Sequence, residues 1–152
     1  MQNESIEKIL KKAASKENGT YLLYKKAAES VKDVYTKDIL RKFAEEELQH
    51  KQIIENFNTE MLGSFEIKID ETSRKGVSEF LDDTDEGLTR DSDVQDVLLY
   101  AAKREKKAFH FYDNMSKLVA DKELKKMFAW LAQEELKHKE DIEALFWEVM
   151  YR

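Results

Sequence analysis

The sequence predicts an all-α protein: an up-down four-helix bundle with internal two-fold pseudo-symmetry and a long crossover between its second and third helices. The 152-residue chain has no proline and four glycines, and 38% of its residues are charged. Such a composition is typical of long helices with solvated outer faces. Apolar residues follow the helical period in four segments. The pattern of residues 10–57 is also repeated in residues 98–145, with matching residues 88 positions apart. We expect one domain, 1–152, with halves at about 5–61 and 92–150.

The first predicted helix runs from about Ser5 to Val31. Gly19 interrupts it, at a cost of about 1 kcal/mol relative to alanine. Either the helix tolerates this glycine, or the missing side chain lets another group approach the backbone near Glu17. The inward stripe comprises Ile6, Leu10, Ala13, Glu17, Tyr24, Ala28 and Val31.

The second predicted helix follows a short break at Lys32–Tyr35. Thr36 is a candidate N-cap with Asp38 in the first turn, and the helix continues to about Met61. So short a break predicts antiparallel packing on the first helix. Its inward stripe comprises Leu40, Phe43, Glu47, His50, Ile54 and Phe57.

Residues 62–91 lack the helical period and contain three of the four glycines. Residues 65–70 alternate apolar and polar side chains, and a short helix is predicted near Val77–Leu81. A connection of this length suits a crossover from one end of a bundle to the other. The alternative is a flexible linker between two small domains, which we disfavour because neither half alone could bury its apolar stripe.

The third predicted helix starts with a capping box formed by Ser92 and Gln95 and ends near Val119. Asp121 caps the fourth helix. We expect Trp147 and Met150 to complete the core or to contact a partner chain. The inward stripes comprise Val94, Leu98, Ala101, Glu105, Phe109, Tyr112 and Val119, then Leu124, Phe128, Leu131, Glu135, His138, Ile142, Leu145 and Val149.

Composition and charge exclude several functional classes. Without cysteine the chain has no disulfide, thiolate nucleophile or cysteine-ligated metal. A net charge of −6 without a basic run argues against a nucleic-acid partner. No apolar stretch approaches the ~20 residues that span a bilayer, and the first residues lack the apolar segment of an export signal. We therefore expect a soluble cytoplasmic protein with no membrane or nucleic-acid partner.

A Glu-x-x-His motif occurs in the second helix and again in the fourth, and each motif lies 30 residues after another glutamate. Helical phase turns all four glutamates toward the core. Buried ionised carboxylates cost several kcal/mol each and repel one another, so two divalent cations are expected to neutralise them. One such motif arises easily by chance on a charged helix, but the repeated set does not. The predicted metal ligands are Glu17, Glu47, His50, Glu105, Glu135 and His138.

Mixed oxygen and imidazole ligation suits iron or manganese better than calcium or structural zinc. Tyr24 and Tyr112 share the stripes of Glu17 and Glu105. They are either core aromatics or groups that hydrogen-bond a ligand carboxylate and assist catalysis. His110 falls on the outer face of its helix and is not expected to be a ligand.

At these residues the chain resembles the rubrerythrin branch of the ferritin-like superfamily. The resemblance covers the whole chain apart from the crossover and implies a di-iron centre of two Fe ions, with Mn or Zn as substitutes. Glu47 and Glu135 match the bridging pair. The resemblance also implies an oxidoreductase that reduces hydrogen peroxide or O2. Electrons would come from an external donor protein such as a rubredoxin, and we expect a homodimer.

Two features depart from that family. A chain without cysteine cannot carry the cysteine-ligated rubredoxin domain of rubrerythrins proper, so the closest resemblance is to stand-alone, erythrin-type members. Ala108 also stands where the family commonly has a glutamate that exchanges as a ligand during turnover. The alternatives are a ferroxidase or iron-storage protein, and a metal-stabilised bundle without a catalytic role.

Overall fold

The computed structural model describes residues 2–57, 66–69, 77, 80–81 and 93–151. Within these ranges four long helices dominate: α1 (Ile6–Ser30), α2 (Val34–Asn56), α3 (Val94–Leu118) and α4 (Lys122–Met150). Two short strands, β1 (Gln2–Ser5) and β2 (Glu66–Ile69), accompany them. The predicted all-α four-helix class is confirmed.

The helix boundaries follow the internal repeat. Helix α3 begins and ends 88 residues after α1, and α4 begins 88 residues after α2. Helix α4 has 29 residues and α2 has 23. Each helix starts at a side chain that accepts a hydrogen bond from the backbone N–H three residues on, which satisfies an otherwise unpaired donor. These caps are Ser5, Asp33, Asp93 and Asp121.

Two predicted helix starts were wrong by a few residues. Asp33 rather than Thr36 caps α2, and the Thr36 hydroxyl donates to the Asp33 carboxylate at 2.6 Å. The capping box of α3 is formed by Asp93 and Asp96, one residue later than predicted. In both cases a carboxylate, which is the stronger acceptor, takes the capping position. Helix α2 also ends at Asn56 instead of near residue 61, and residues 58–61 lie outside the described residues.

A small antiparallel ribbon joins the start of the chain to the predicted crossover. Gln2 of β1 lies opposite Ile69 of β2, and Ser5 lies opposite Glu66. Val77, Phe80 and Leu81 are helical, in agreement with the predicted short helix. The remainder of 62–91 lies outside the described residues, so the crossover itself stays a prediction.

The helices pack as two hairpins, α1 with α2 and α3 with α4, and the hairpins meet through α1–α3 and α2–α4 contacts. Buried apolar residues form two clusters. The first apolar cluster includes Leu10, Phe111 and Phe128, and the second includes Leu40 and Ile142. Along each helix a polar stretch separates the two clusters. The core is therefore divided by a buried polar layer.

Some predicted core positions differ. Phe109 is only partly buried, and its neighbour Phe111 is fully buried. Trp147 is 55% exposed and Met150 is 43% exposed, so neither completes the core. Their contact with a partner chain stays a prediction. Across the described helices, none has the length and apolar character needed to cross a bilayer.

Candidate metal centre

The polar layer contains all six predicted ligand residues. Every one is buried, with at most 2% of its surface exposed. Each helix contributes one glutamate because the 3.6-residue period places it within the apolar stripe, and α2 and α4 each add a histidine one turn later. The six are Glu17, Glu47, His50, Glu105, Glu135 and His138. Their role as ligands stays a prediction.

Four of these residues form a tight group across the two hairpins. One nitrogen or oxygen atom from each of Glu47, His50, Glu135 and His138 lies within 4.8 Å of the other three. His50 Nδ1 lies 2.8 Å from Glu135 Oε1, and His138 Nδ1 lies 2.8 Å from Glu47 Oε1. The imidazole rings stack with centroids 5.4 Å apart. Each hairpin's histidine thus meets the other hairpin's glutamate.

Glu17 and Glu105 flank this group and are oriented by the two predicted tyrosines. Tyr112 donates a hydrogen bond to Glu17 Oε1 at 2.6 Å, and Tyr24 donates one to Glu105 Oε1 at 2.9 Å. Glu17 Oε2 also lies 3.9 Å from His50 Nδ1. Both tyrosines therefore link α1 to α3 through hydrogen bonds to carboxylates of the polar layer.

Burial and mutual repulsion disfavour negative charge in this layer. Burial, together with the charges of neighbouring glutamates such as Glu105, raises the pKa of Glu47 and of Glu135 well above their usual range. Burial and the adjacent carboxylate likewise raise the pKa of Tyr24 and of Tyr112. The tyrosines are therefore neutral donors at physiological pH.

The donor atoms of the layer fit metal ions. Among the described residues, Glu47 Oε2 and Glu105 Oε2 are buried without a hydrogen-bond partner. A buried acceptor without a partner is costly, and a cation would satisfy it. The set offers carboxylate oxygens and imidazole nitrogens, which suit first-row transition metals such as iron and manganese. The layer is therefore a candidate metal centre.

One residue next to this centre was not predicted from helical phase. Glu46, which precedes the predicted ligand Glu47, places its Oε2 against Nε2 of His138. The hydrogen bond with His138 lowers the pKa of Glu46. Burial opposes the charging of His138, but the bond to Glu46 and the charges of nearby carboxylates raise its pKa above the ordinary value. The repeated Glu-Glu pair was the only sequence signal that could have pointed to Glu46.

Gly19 brings a neighbouring helix close to the centre. A Cβ atom on Gly19 would lie 2.7 Å from Arg104 Nη2. Arg104 donates from Nε to Thr20 Oγ1 at 2.6 Å and from Nη2 to the Lys16 carbonyl at 2.9 Å. The missing side chain therefore admits the guanidinium group of α3 against α1, which is the second of the two predicted roles.

Two other predicted positions lie as expected. His110 is exposed on α3 and contacts Phe109, away from the six buried residues. Ala108 is 4% exposed and belongs to the first apolar cluster. Position 108 therefore contributes no carboxylate to the polar layer.

The family model described as Rubrerythrin matches residues 8–146, which include all four helices' contributions to the polar layer. Comparisons with curated proteins and with solved structures find no match.

Proposed function

The chain belongs to the rubrerythrin family, and from that premise we propose that it is a non-haem di-iron oxidoreductase that reduces hydrogen peroxide or O2. The observation that carries the proposal is the buried layer of four carboxylates and two imidazoles that divides the apolar core. Four carboxylates match the charge of two divalent ions. Such ions would also satisfy the buried carboxylate oxygens of Glu47 and Glu105 that have no hydrogen-bond partner among the described residues.

The residues that would hold the two ions lie on all four helices. Glu47, His50, Glu135 and His138 form the central group, and Glu17 and Glu105 flank it. When bound, iron supplies a redox centre and a Lewis acid.

The protein's own groups prepare the layer for that chemistry. Tyr24 and Tyr112 donate hydrogen bonds that hold the flanking carboxylates in place, and burial keeps their hydroxyl protons attached. The two apolar clusters exclude water on either side of the layer. Exclusion of water strengthens the electrostatic interactions within it.

The electrons would come from outside the sequence given. It contains no cysteine and therefore no cysteine-ligated iron centre that could deliver them. A separate donor protein such as a rubredoxin belongs to the proposal, as do a homodimeric assembly and a cytoplasmic location.

A second candidate function is oxidation of Fe(II) for binding or storage. Ala108 favours it, because the family's exchanging glutamate is replaced by a side chain packed into the first apolar cluster. Without that carboxylate, peroxide turnover would be slower than in members that have it.

Anaerobic loading followed by oxidation distinguishes the two functions. The full chain is loaded with two equivalents of Fe(II), and its absorption is followed after one equivalent of peroxide or of O2. Each peroxide takes two electrons and two protons to give two waters while two Fe(II) ions become Fe(III). Faster oxidation by peroxide supports the oxidoreductase. Faster oxidation by O2 with continued uptake of iron supports the storage alternative.

The histidines provide the control. A His50→Ala and His138→Ala double variant should lose iron binding, whereas His110→Ala should retain it because His110 is exposed outside the layer. Iron binding by the double variant at the parent level would show that the proposed site is wrong.

A further inference from the structure

His138 is held at both ring nitrogens. Nδ1 faces the polar layer and lies 2.8 Å from Glu47 Oε1, while Nε2 contacts Glu46 Oε2. The His138 side chain is 3% exposed, and the Glu46 side chain is 29% exposed. A carboxylate on the outer nitrogen fixes the ring orientation and holds a proton on that nitrogen, so Nδ1 is the nitrogen that would bind an ion, in place of its contact with Glu47.

His50 lacks the equivalent contact, although the repeat places Glu134 at the position that corresponds to Glu46. Between His50 and Glu134, both of which the structure describes, there is no hydrogen bond. Instead the Trp130 ring meets the His50 ring edge-on, with centroids 5.6 Å apart. Trp130 lies one helical turn before Glu134, and its counterpart in the other half is Lys42. The indole thus packs beside His50, while His138 is held by a carboxylate.

We propose that Glu46 is a positioning residue that orients His138 and makes the two metal positions inequivalent. The position served by His138 binds its ion more tightly and fills first. The inference rests on the proposed di-metal function and adds an order of filling to a centre whose six predicted ligands are symmetric in sequence.

The physical basis is the effect of the outer hydrogen bond on the inner nitrogen. When Nε2–H donates to a carboxylate, electron density at Nδ1 rises and the ring no longer has to be ordered on binding. Loss of such a partner typically lowers metal affinity by about 10- to 100-fold. An indole ring offers no acceptor of comparable strength. His50 therefore lacks the outer carboxylate partner that orients the ring of His138.

Zinc titration of the full chain with 15N-labelled histidine tests this. Zinc is diamagnetic and redox-inert, and the chain has three histidines, so each ring nitrogen can be followed by NMR. In the parent, His138 Nδ1 should show metal binding in the first equivalent and His50 Nδ1 in the second. The Nε2–H proton of His138 should be shifted downfield and protected from exchange.

The decisive comparison is Glu46→Ala against Glu134→Ala. Glu46→Ala should weaken the tighter zinc site by about 10- to 100-fold and abolish the downfield His138 proton, while Glu134→Ala leaves both unchanged. Glu46→Gln retains a neutral acceptor and should fall between the parent and Glu46→Ala. It also serves as the test variant if Glu46→Ala does not fold.

Two results separate this inference from the function on which it rests. Equal weakening by the Glu46 and Glu134 variants, or none by either, overturns the role of Glu46 while leaving a two-metal centre intact. A parent protein that binds fewer than two zinc ions overturns the di-metal proposal and this inference together.

Discussion

Replacement of Glu47 by glutamine should stabilise the metal-free protein and reduce the further stabilisation that metal provides. Glu47 is fully buried, its Oε1 is bonded to His138, and its Oε2 has no hydrogen-bond partner among the described residues. A glutamine can keep the bond to His138 through its carbonyl. It also presents an amide donor to the surrounding carboxylates and cannot take up the negative charge that burial and the neighbouring glutamates disfavour at this position.

The size of each effect follows from these contacts. Satisfying an unpaired buried polar atom and removing a repelled charge should stabilise the metal-free protein by about 1–3 kcal/mol. For a domain of this size that raises the melting temperature by about 2–12 °C. In the loaded protein, loss of one ligand-bound ion at a free metal concentration of 100 Kd removes about 2.7 kcal/mol. The rise in melting temperature that metal produces should therefore be smaller in the variant than in the parent by about 5–11 °C.

Thermal unfolding followed by circular dichroism, with chelator or with excess Mn(II), measures both effects. Glu45→Gln is the matched control because Glu45 is exposed two residues earlier on α2 and undergoes the same replacement. The control should leave both melting temperatures nearly unchanged. A lower melting temperature for metal-free Glu47→Gln, together with an undiminished response to metal, would refute the reasoning.

Three further predictions concern the same layer and its surroundings. Burial and neighbouring charge raise the pKa of the Glu47 and Glu135 carboxyl groups, so the metal-free protein should lose stability as pH rises from about 4 to 8. A free energy of urea unfolding that stays constant or rises over this range would contradict the prediction. Tyr24→Phe should destabilise the protein by about 1–3 kcal/mol because it removes the hydrogen bond to Glu105. Tyr35→Phe should not, because Tyr35 is exposed, and equal melting temperatures for the two variants would contradict the prediction. Gly19→Ala should stabilise an Arg104→Ala variant by about 1 kcal/mol but give no such gain in the parent protein. Equal changes in the free energy of denaturant unfolding in both backgrounds would exclude the close contact between Gly19 and Arg104.

The sequence predicted the fold and the inward direction of the six layer residues because both depend on helical period. Glu47 and Glu135 sit at the centre of their apolar stripes, and a stripe that packs must turn them inward. The repeat also predicted that the halves would match, and the starts of all four helices obey it.

Features that depend on distant neighbours were not predictable in this way. The pairing of β1 with β2 joins residues more than 60 positions apart, and local pattern does not encode such a partner. Helical phase gives the direction of Glu46 from its helix axis but not the reach of its side chain to His138 on α4. The contact of Trp130 with His50 likewise depends on how the two hairpins meet. Repetition in sequence therefore predicted two equal halves of the centre, whereas packing makes them different.

Anomalous diffraction at the iron edge would test the central claim most directly. Crystals grown anaerobically with Fe(II) should show two iron peaks per chain, both within the layer that contains Glu47, His50, Glu135 and His138. Strong peaks only at surface carboxylates, or a single peak in the layer at saturating iron, would contradict the two-metal account.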